Sequence, residues 1–365
     1  MLTAACAAAL VVATWLTVVP MTGAQKENAP GGSRSSAAPQ WAVLLHGGAG
    51  VIQRGAMTEK AEAAYRAGLS EALQAAAKVL DRGGSSLEAI EAAILLLEDN
   101  PLFNAGRGAV FSAEGRNELD AAVMDGATLR AGAVAGVRRT RHPIALARAV
   151  MERSGHVMLM GEGADAFATH AGLEQVEPGY FFTEHRWQSL EKQLRKEGLP
   201  VPPRPAGAPS ASALPDLGFT IEDEHHYGTV GAVALDRHGN VAAGTSTGGI
   251  QAKRWGRVGD SPIIGAGTYA ANRSCAVSAT GSGEYFIRLT AARRICSLVE
   301  DRGLSLQAAA DEVVQRELRE LGGDGGVIAI APDGQMAWSF NTSGMYRARL
   351  TEGGKATVAM YDDEP

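Results

Sequence analysis

Along the first half of the chain the apolar positions change period several times. Trp41-Ala-Val-Leu-Leu45 is a continuous apolar run entering His46-Gly-Gly-Ala-Gly50, which predicts a buried strand that ends in a glycine turn. Residues 58–82 and 86–97 carry Ala, Leu and Ile at helical spacing, with Ser86 placed as an N-cap and Glu88 and Glu91 in the first turns. Short strands are predicted at 121–124 and 132–137, and helices at 145–152, 162–171 and 186–198, the last of them strongly charged.

After residue 228 the pattern becomes β. Residues 229–235 and 241–247 are runs of small and β-branched residues around Asp236-Arg-His-Gly-Asn240, which reads as a hairpin. A second unit follows at Gly326-Val-Ile-Ala-Ile-Ala331, Pro332-Asp-Gly334 and 335–341, with helices predicted between the two units at 284–298 and 306–321. Both hairpins are apolar on both faces, so each face needs a cover. The expected architecture is therefore α+β, with two stacked, mainly antiparallel sheets between layers of helices. Thr229 and Thr247 each lie nine residues from His238, the middle of the first turn. Symmetric pairing sets them opposite each other, where cross-strand Cβ atoms are about 4.5–5.5 Å apart and two hydroxyls can hydrogen-bond. A one-residue bulge would shift that pairing.

Between the two halves, residues 198–217 break the composition. Pro200, Pro202, Pro203, Pro205, Pro209 and Pro215 fall among Ala, Gly and Ser, a density that fits neither sheet nor helix and predicts a mobile linker running to residue 228. It ends at an acidic patch and the Tyr227-Gly228-Thr229 junction, so a loose tether is expected to meet a buried strand there.

Composition narrows the classes further. The 365 residues are 45% hydrophobic and 20% charged, enough for a sizeable core. The net charge of −6 has no basic block, which argues against nucleic acid or an anionic membrane as the partner. Residues 1–20 are almost wholly apolar and precede small residues Thr22-Gly23-Ala24, so 1–24 is read as a secretory signal peptide and 25–40 as a disordered lead-in. A secreted or periplasmic location follows from that reading; a retained anchor is the alternative, but the run is barely long enough to span a bilayer. Of the cysteines, only Cys275 and Cys296 lie beyond the leader, and sequence leaves pairing and two buried free thiols both open.

Some signals carry little. Gly265-Ala-Gly-Thr-Tyr-Ala270 imitates a dinucleotide fingerprint, but 272–277 reads as a further strand and the βαβ context is missing. Glu222-Asp-Glu-His-His226 has metal-binding residue types without ligand spacing and reads as a solvated patch. His46 reads as a strand-end histidine holding a glycine turn rather than as a base, and Gly161-Glu-Gly163 as a turn that starts a helix.

Other motifs fall together. Gly228-Thr-Val-Gly-Ala-Val-Ala-Leu-Asp236, Gly244-Thr-Ser-Thr-Gly-Gly249, Gly256-Arg-Val-Gly-Asp-Ser-Pro262 and Ala279-Thr-Gly-Ser-Gly-Glu284 resemble the isoaspartyl peptidase/L-asparaginase family, the plant-type asparaginase branch of the N-terminal nucleophile (Ntn) hydrolases. His46-Gly-Gly-Ala-Gly50, Asn100-Pro-Leu-Phe-Asn-Ala-Gly106 and Glu118-Leu-Asp-Ala-Ala-Val-Met-Asp-Gly126 extend the resemblance from about residue 41 to the C-terminus. It implies one structural domain over 41–365, cut between Gly228 and Thr229 into an α subunit (41–228) and a β subunit (229–365) in a four-layer αββα sandwich. Thr229 would be the nucleophile, with its freed α-amino group, of reference pKa about 7.7–8.0, as the base. Thr247 would orient it, Thr280 and the Gly281 N–H would form the oxyanion hole, and Asn104 would support the scissile site. Arg257 would grip a substrate α-carboxylate and Asp260 its α-ammonium, beside Gly281 and Gly283.

The same resemblance implies no cofactor for catalysis, and a structural sodium ion on backbone carbonyls of Leu97, Glu98, Asn100, Phe103, Ala105 and Arg107. It also implies a dimer of αβ heterodimers and no stable membrane association once the leader is gone. The expected substrates are β-aspartyl dipeptides and L-asparagine. A glycosylasparaginase-like amidase would share nucleophile and clamp, and an inactive secreted binding protein would not need to retain Thr229, Thr247, Arg257, Asp260 and Thr280 together.

Overall fold

A computed structural model describes residues 40–55, 57–209 and 226–364. The predicted leader, all of the lead-in but Gln40, and residues 210–225 of the predicted linker lie outside the described residues.

Strand β1 (Ala42–Gly50) is followed by helices α1 (Glu59–Asp81) and α2 (Ser86–Asp99), strands β2 (Leu119–Asp125) and β3 (Ala131–Val137), and helix α3 (Pro143–Ala149), which continues as a π-helical turn over Val150–Ser154. Strand β4 (Met158–Met160), helices α4 (Gly161–His170) and α5 (Glu184–Lys196) and the two-residue strand β5 (His226–Tyr227) complete the first half. The second half runs through β6 (Val230–Leu235), β7 (Val241–Thr247), β8 (Thr268–Ala270), β9 (Ala276–Gly281), α6 (Gly283–Leu289), α7 (Ala291–Arg302), α8 (Leu306–Asp311), β10 (Gly325–Ile330), β11 (Met336–Phe340), β12 (Gly344–Thr351) and β13 (Thr357–Tyr361).

Among the described residues nine strands form one sheet in the order β13-β12-β1-β6-β7-β2-β3-β4, with β5 also paired to β1; the second sheet is β11-β10-β9-β8. Every pairing is antiparallel except β3 with β4. The period-2 alternation of a strand sends successive side chains to opposite faces, and here both faces are buried. Val43 and Leu45 of β1 join α1–α4 in one core, whereas Ala42 and Leu44 join β9, β10, α7 and α8 in the other. The result is the helix–sheet–sheet–helix sandwich of the Ntn-hydrolase class, as the two-faced hairpins required.

The turn of the first hairpin explains its register. Asp236 accepts Gly239 N–H through its carbonyl (3.0 Å), and its Oδ1 accepts His238 N–H (2.9 Å) and Asn240 N–H (3.0 Å). Its other carboxylate oxygen takes Ser86 N–H (3.0 Å), tying the turn to the start of α2. Leu235 then faces Val241 and Val230 faces Ser246 without a bulge, which leaves Thr229 in line with Thr247.

Several boundaries differ from expectation. The α2 N-cap is Ser85, not Ser86, because Ser85 and Glu88 form a reciprocal capping box (Glu88 N–H to Ser85 Oγ 3.2 Å, Ser85 N–H to Glu88 Oε2 2.8 Å). The single helix expected over 284–298 breaks at Thr290, whose left-handed φ of 48° separates α6 from α7. Residues 271–275 form a turn, not a strand, closed by Ala271 N–H on the Cys275 carbonyl (3.0 Å). Cys275 in this turn and Cys296 on α7 form a disulfide, Cα–Cα 5.3 Å.

The proline-rich segment also departs from a mobile linker along its described length. Leu199, Val201 and Ala208 pack on a separate cluster of Phe111, Phe182, Trp187, Leu190 and Leu194. At the far end His226 and Tyr227 pair with Gly50 and Ala49 of β1. Docking of both ends follows from apolar residues scattered between the prolines and from a free strand edge at the end of β1. Among the described residues no helix is long and apolar enough to cross a membrane.

Candidate active site

Thr229 stands at the entry to β6, buried, with its side chain on the face toward the second sheet. Its hydroxyl donates to Thr247 Oγ1 at 2.9 Å, the pairing that the turn symmetry predicted. Thr247 Oγ1 also accepts Gly249 N–H at 3.0 Å, so it is an acceptor fixed on two sides. That arrangement directs the Thr229 proton toward Thr247 and leaves the lone pairs of Thr229 Oγ1 turned elsewhere.

The residue before it is held as firmly. Asn104 N–H donates to the Gly228 carbonyl at 3.2 Å, and the Asn104 carbonyl takes Gly248 N–H at 3.1 Å. The Asn104 amide donates to the Gly249 carbonyl (2.8 Å) and accepts Val110 N–H (2.9 Å). One side chain and its backbone thus join Gly228 to the loop after Thr247. The approach is so close that a Cβ on Gly228 would meet Asn104 Cβ at 2.6 Å.

Thr280 and Gly281 close β9 in the second sheet. Thr280 Oγ1 accepts Ala49 N–H at 3.4 Å, and two residues earlier on the same face Ser278 reaches back toward β1. Gly281 has φ 149°, and a Cβ there would run into the Asp324 carbonyl and Gly325, so the position is closed to any side chain.

Arg257 and Asp260 meet at Gly283. A Cβ on Gly283 would lie 2.8 Å from Asp260 Oδ1 and 2.9 Å from Arg257 Nη2, both closer than van der Waals contact, so only a glycine fits against this guanidinium and carboxylate. Asp260 is buried, and its Oδ2 has no hydrogen-bond partner among the described residues. Burial raises its pKa to about 7, against the opposing pull of Arg257. That oxygen is chemically able to accept from a cationic donor such as an ammonium. Arg257 also borders Gly249, whose N–H holds Thr247, which places this pair beside the threonines.

His46 is not at a strand end. It sits mid-strand, fully buried, with Nδ1 3.0 Å from the Thr229 carbonyl and Nε2 2.9 Å from Ser278 Oγ. A carbonyl only accepts, so Nδ1 carries the proton and Nε2 accepts from Ser278. Ser278 then accepts from Thr245 (2.7 Å), which accepts from Thr268 (2.7 Å), a one-way chain linking both sheets behind Thr229. Burial drops the His46 pKa to about 3, so the ring stays neutral and is no proton acceptor for the hydroxyl. Sequence reasoning missed this role; the visible signal was a histidine inside an otherwise apolar strand.

The residues expected around sodium lie in the last turn of α2 (Leu97 and Glu98) and in the loop after it (Asn100, Phe103, Ala105 and Arg107). The carbonyls of Glu98, Asn100 and Phe103 each accept one backbone N–H, from Arg107 (2.7 Å), Phe103 (3.2 Å) and Ala105 (3.0 Å). Each keeps a second lone pair, and neutral carbonyl oxygens suit a hard monovalent ion, so the donor set fits the group. The Glu98 carboxylate is engaged elsewhere: it accepts Ser246 Oγ (2.6 Å) and Ile144 N–H (3.0 Å) and faces His142 Nδ1 (3.2 Å). Among the described residues no group of three or more His, Cys, Asp or Glu side chains is placed to hold a metal.

A threonine leading a central strand of a two-sheet sandwich, paired with a second threonine, is the arrangement of an Ntn hydrolase. The chain belongs to the asparaginase family, whose model matches residues 39–360. It is 48% identical over 322 residues to the isoaspartyl peptidase of Escherichia coli K12, covering 88% of this chain and 96% of that one. The isoaspartyl peptidase/L-asparaginase of Xenopus laevis is 40% identical over 310 residues (85% and 92% of the two chains). The plant-type L-asparaginase of Pyrococcus furiosus is also 40% identical, over 321 residues (87% and 99%).

Proposed function

We propose that the chain cuts itself between Gly228 and Thr229, and that the freed Thr229 hydrolyses β-aspartyl dipeptides and L-asparagine to release L-aspartate. The observation that carries this reading is the Thr229–Thr247 hydroxyl pair, 2.9 Å apart, directly after a Gly228 carbonyl held by Asn104 N–H.

In the self-cleavage step Thr229 Oγ1 attacks the Gly228 carbonyl carbon, and Asn104 N–H is the donor in place for the developing oxyanion. The C–N bond breaks, the nitrogen gains a proton to become the α-amino group of Thr229, and water hydrolyses the ester left on Oγ1. That amine then serves as the base: it takes the Thr229 hydroxyl proton as Oγ1 attacks the side-chain carbonyl of the substrate. Thr280 O–H and Gly281 N–H stabilise the tetrahedral oxyanion, the amine departs with a proton, and water releases aspartate from the ester. Arg257 and Asp260 select a free α-carboxylate and α-ammonium, which an aspartyl residue joined through its β-carboxyl retains.

The names of the relatives support the same substrates. The Cys275–Cys296 disulfide supports an oxidising compartment, secreted or periplasmic, and the resemblance supports a dimer of αβ heterodimers and a structural sodium ion at the end of α2 and the loop after it. The test is a substrate panel. Purified protein is expected to release L-aspartate from β-aspartyl dipeptides and L-asparagine but not from α-aspartyl dipeptides. Turnover confined to glycosylated asparagine would replace this substrate reading with the glycosylasparaginase-like one.

A further inference from the structure

Glu284, the second residue of α6, is exposed, and nothing in the chemistry above uses it. Its carboxylate nevertheless makes two hydrogen bonds to Arg257, from Nε at 2.9 Å and from Nη2 at 3.0 Å. A guanidinium has two edges that can grip a carboxylate in a fork: one formed by Nε and Nη2, the other by Nη1 and Nη2. Glu284 occupies the first. The second edge lies among glycines, with Nη1 2.8 Å from a Cβ built on Gly259 and 3.6 Å from one on Gly249, and Nη2 2.9 Å from one on Gly283. Nη2 of that second edge and Asp260 Oδ1 therefore both lie against Gly283, where no side chain fits over them.

We propose that Glu284 is a positioning residue for the substrate clamp: by holding Arg257 along its Nε edge it turns the other edge toward the α-carboxylate of the substrate. This rests on the reading of Arg257 as the carboxylate clamp. The Arg257 side chain is 16% exposed and that of Glu284 56%, so the pair is partly in water and adds little to fold stability. Its value is orientation. An arginine left to itself must be immobilised when substrate arrives, and Glu284 makes that ordering part of the folded state. Glu284 is also kept ionised, its pKa lowered first of all by the Arg257 hydrogen bond.

The opposite role is physically distinct. A carboxylate that merely sat in the place of the substrate would compete with it, and removing that carboxylate would lower KM. The experiment compares wild type, Glu284→Gln and Glu284→Ala on L-asparagine and on L-asparaginamide, in which a neutral amide replaces the α-carboxylate. Glu284→Ala is expected to raise KM for L-asparagine about tenfold, with kcat within about twofold and KM for the amide little changed. Glu284→Gln, which keeps one acceptor oxygen, is expected to fall between. An unchanged or lowered KM for L-asparagine, or an equal rise for both compounds, would overturn the positioning role. Wild type that shows no preference for L-asparagine over its amide would instead remove the clamp reading itself.

Discussion

Thr229→Ala is expected to yield a single uncut chain and to lower hydrolysis of L-asparagine by about 10⁴-fold or more, the scale seen when a catalytic nucleophile is deleted. The fold gives this variant a clean interpretation. Thr247 Oγ1 keeps its bond from Gly249 N–H, and the His46 bond goes to the Thr229 backbone carbonyl, so neither buried acceptor loses its last partner. Only one hydroxyl and one methyl leave. Thermal unfolding is therefore expected within a few degrees of wild type, measured beside fragment masses and ammonia release. Activity surviving this change would show that another group attacks the substrate.

Asp260→Asn is expected to lower kcat/KM by about 10²–10³-fold, as removing one partner of a buried, hydrogen-bonded charge pair costs about 2–5 kcal/mol. The pH behaviour supplies a sharper check. Burial holds the Asp260 pKa up at about 7, and only its ionised form attracts an ammonium. As pH falls below 7, wild-type kcat/KM should lose about tenfold per unit from this group, in addition to the loss from protonating the Thr229 amine. The asparagine variant should retain only the amine limb. Stability runs the other way. The folded pKa lies above the unfolded value of 3.8, so the folded state binds the extra proton between those values. The Asp260 contribution is fully present below pH 3.8 and is lost as pH rises through 7. At pH 8 the variant should therefore unfold at a higher temperature than wild type, while turning over far less substrate; an unchanged pH profile would place the clamp carboxylate elsewhere.

Legibility in the sequence followed the range of the interaction. The Thr229–Thr247 pairing was readable because both lie on one hairpin, whose turn is specified locally by Asp236 and Gly239. The stacked sheets were readable because both hairpins are apolar on both faces. The α2 cap was misplaced by one residue because Ser85 and Ser86 are chemically alike, and only Ser85 stands three residues before Glu88. The break at Thr290 had no signal, since a β-branched residue does not favour left-handed backbone.

Long-range partners were the hidden part. His46 meets groups 183 and 232 positions away, and no local pattern could separate a turn-holding histidine from one bridging two sheets. The disulfide is similar: Cys275 and Cys296 become neighbours only when α7 packs on β9. The docked start of the proline-rich segment depends on Trp187 and Phe182, which its own composition does not reveal.

The most direct test is the covalent state of the purified protein, read by intact mass spectrometry and N-terminal sequencing after extended incubation. Two fragments are predicted, one of them beginning Thr-Val-Gly-Ala at Thr229. A single uncut chain would contradict self-cleavage and, with it, the free amine on which catalysis by Thr229 depends.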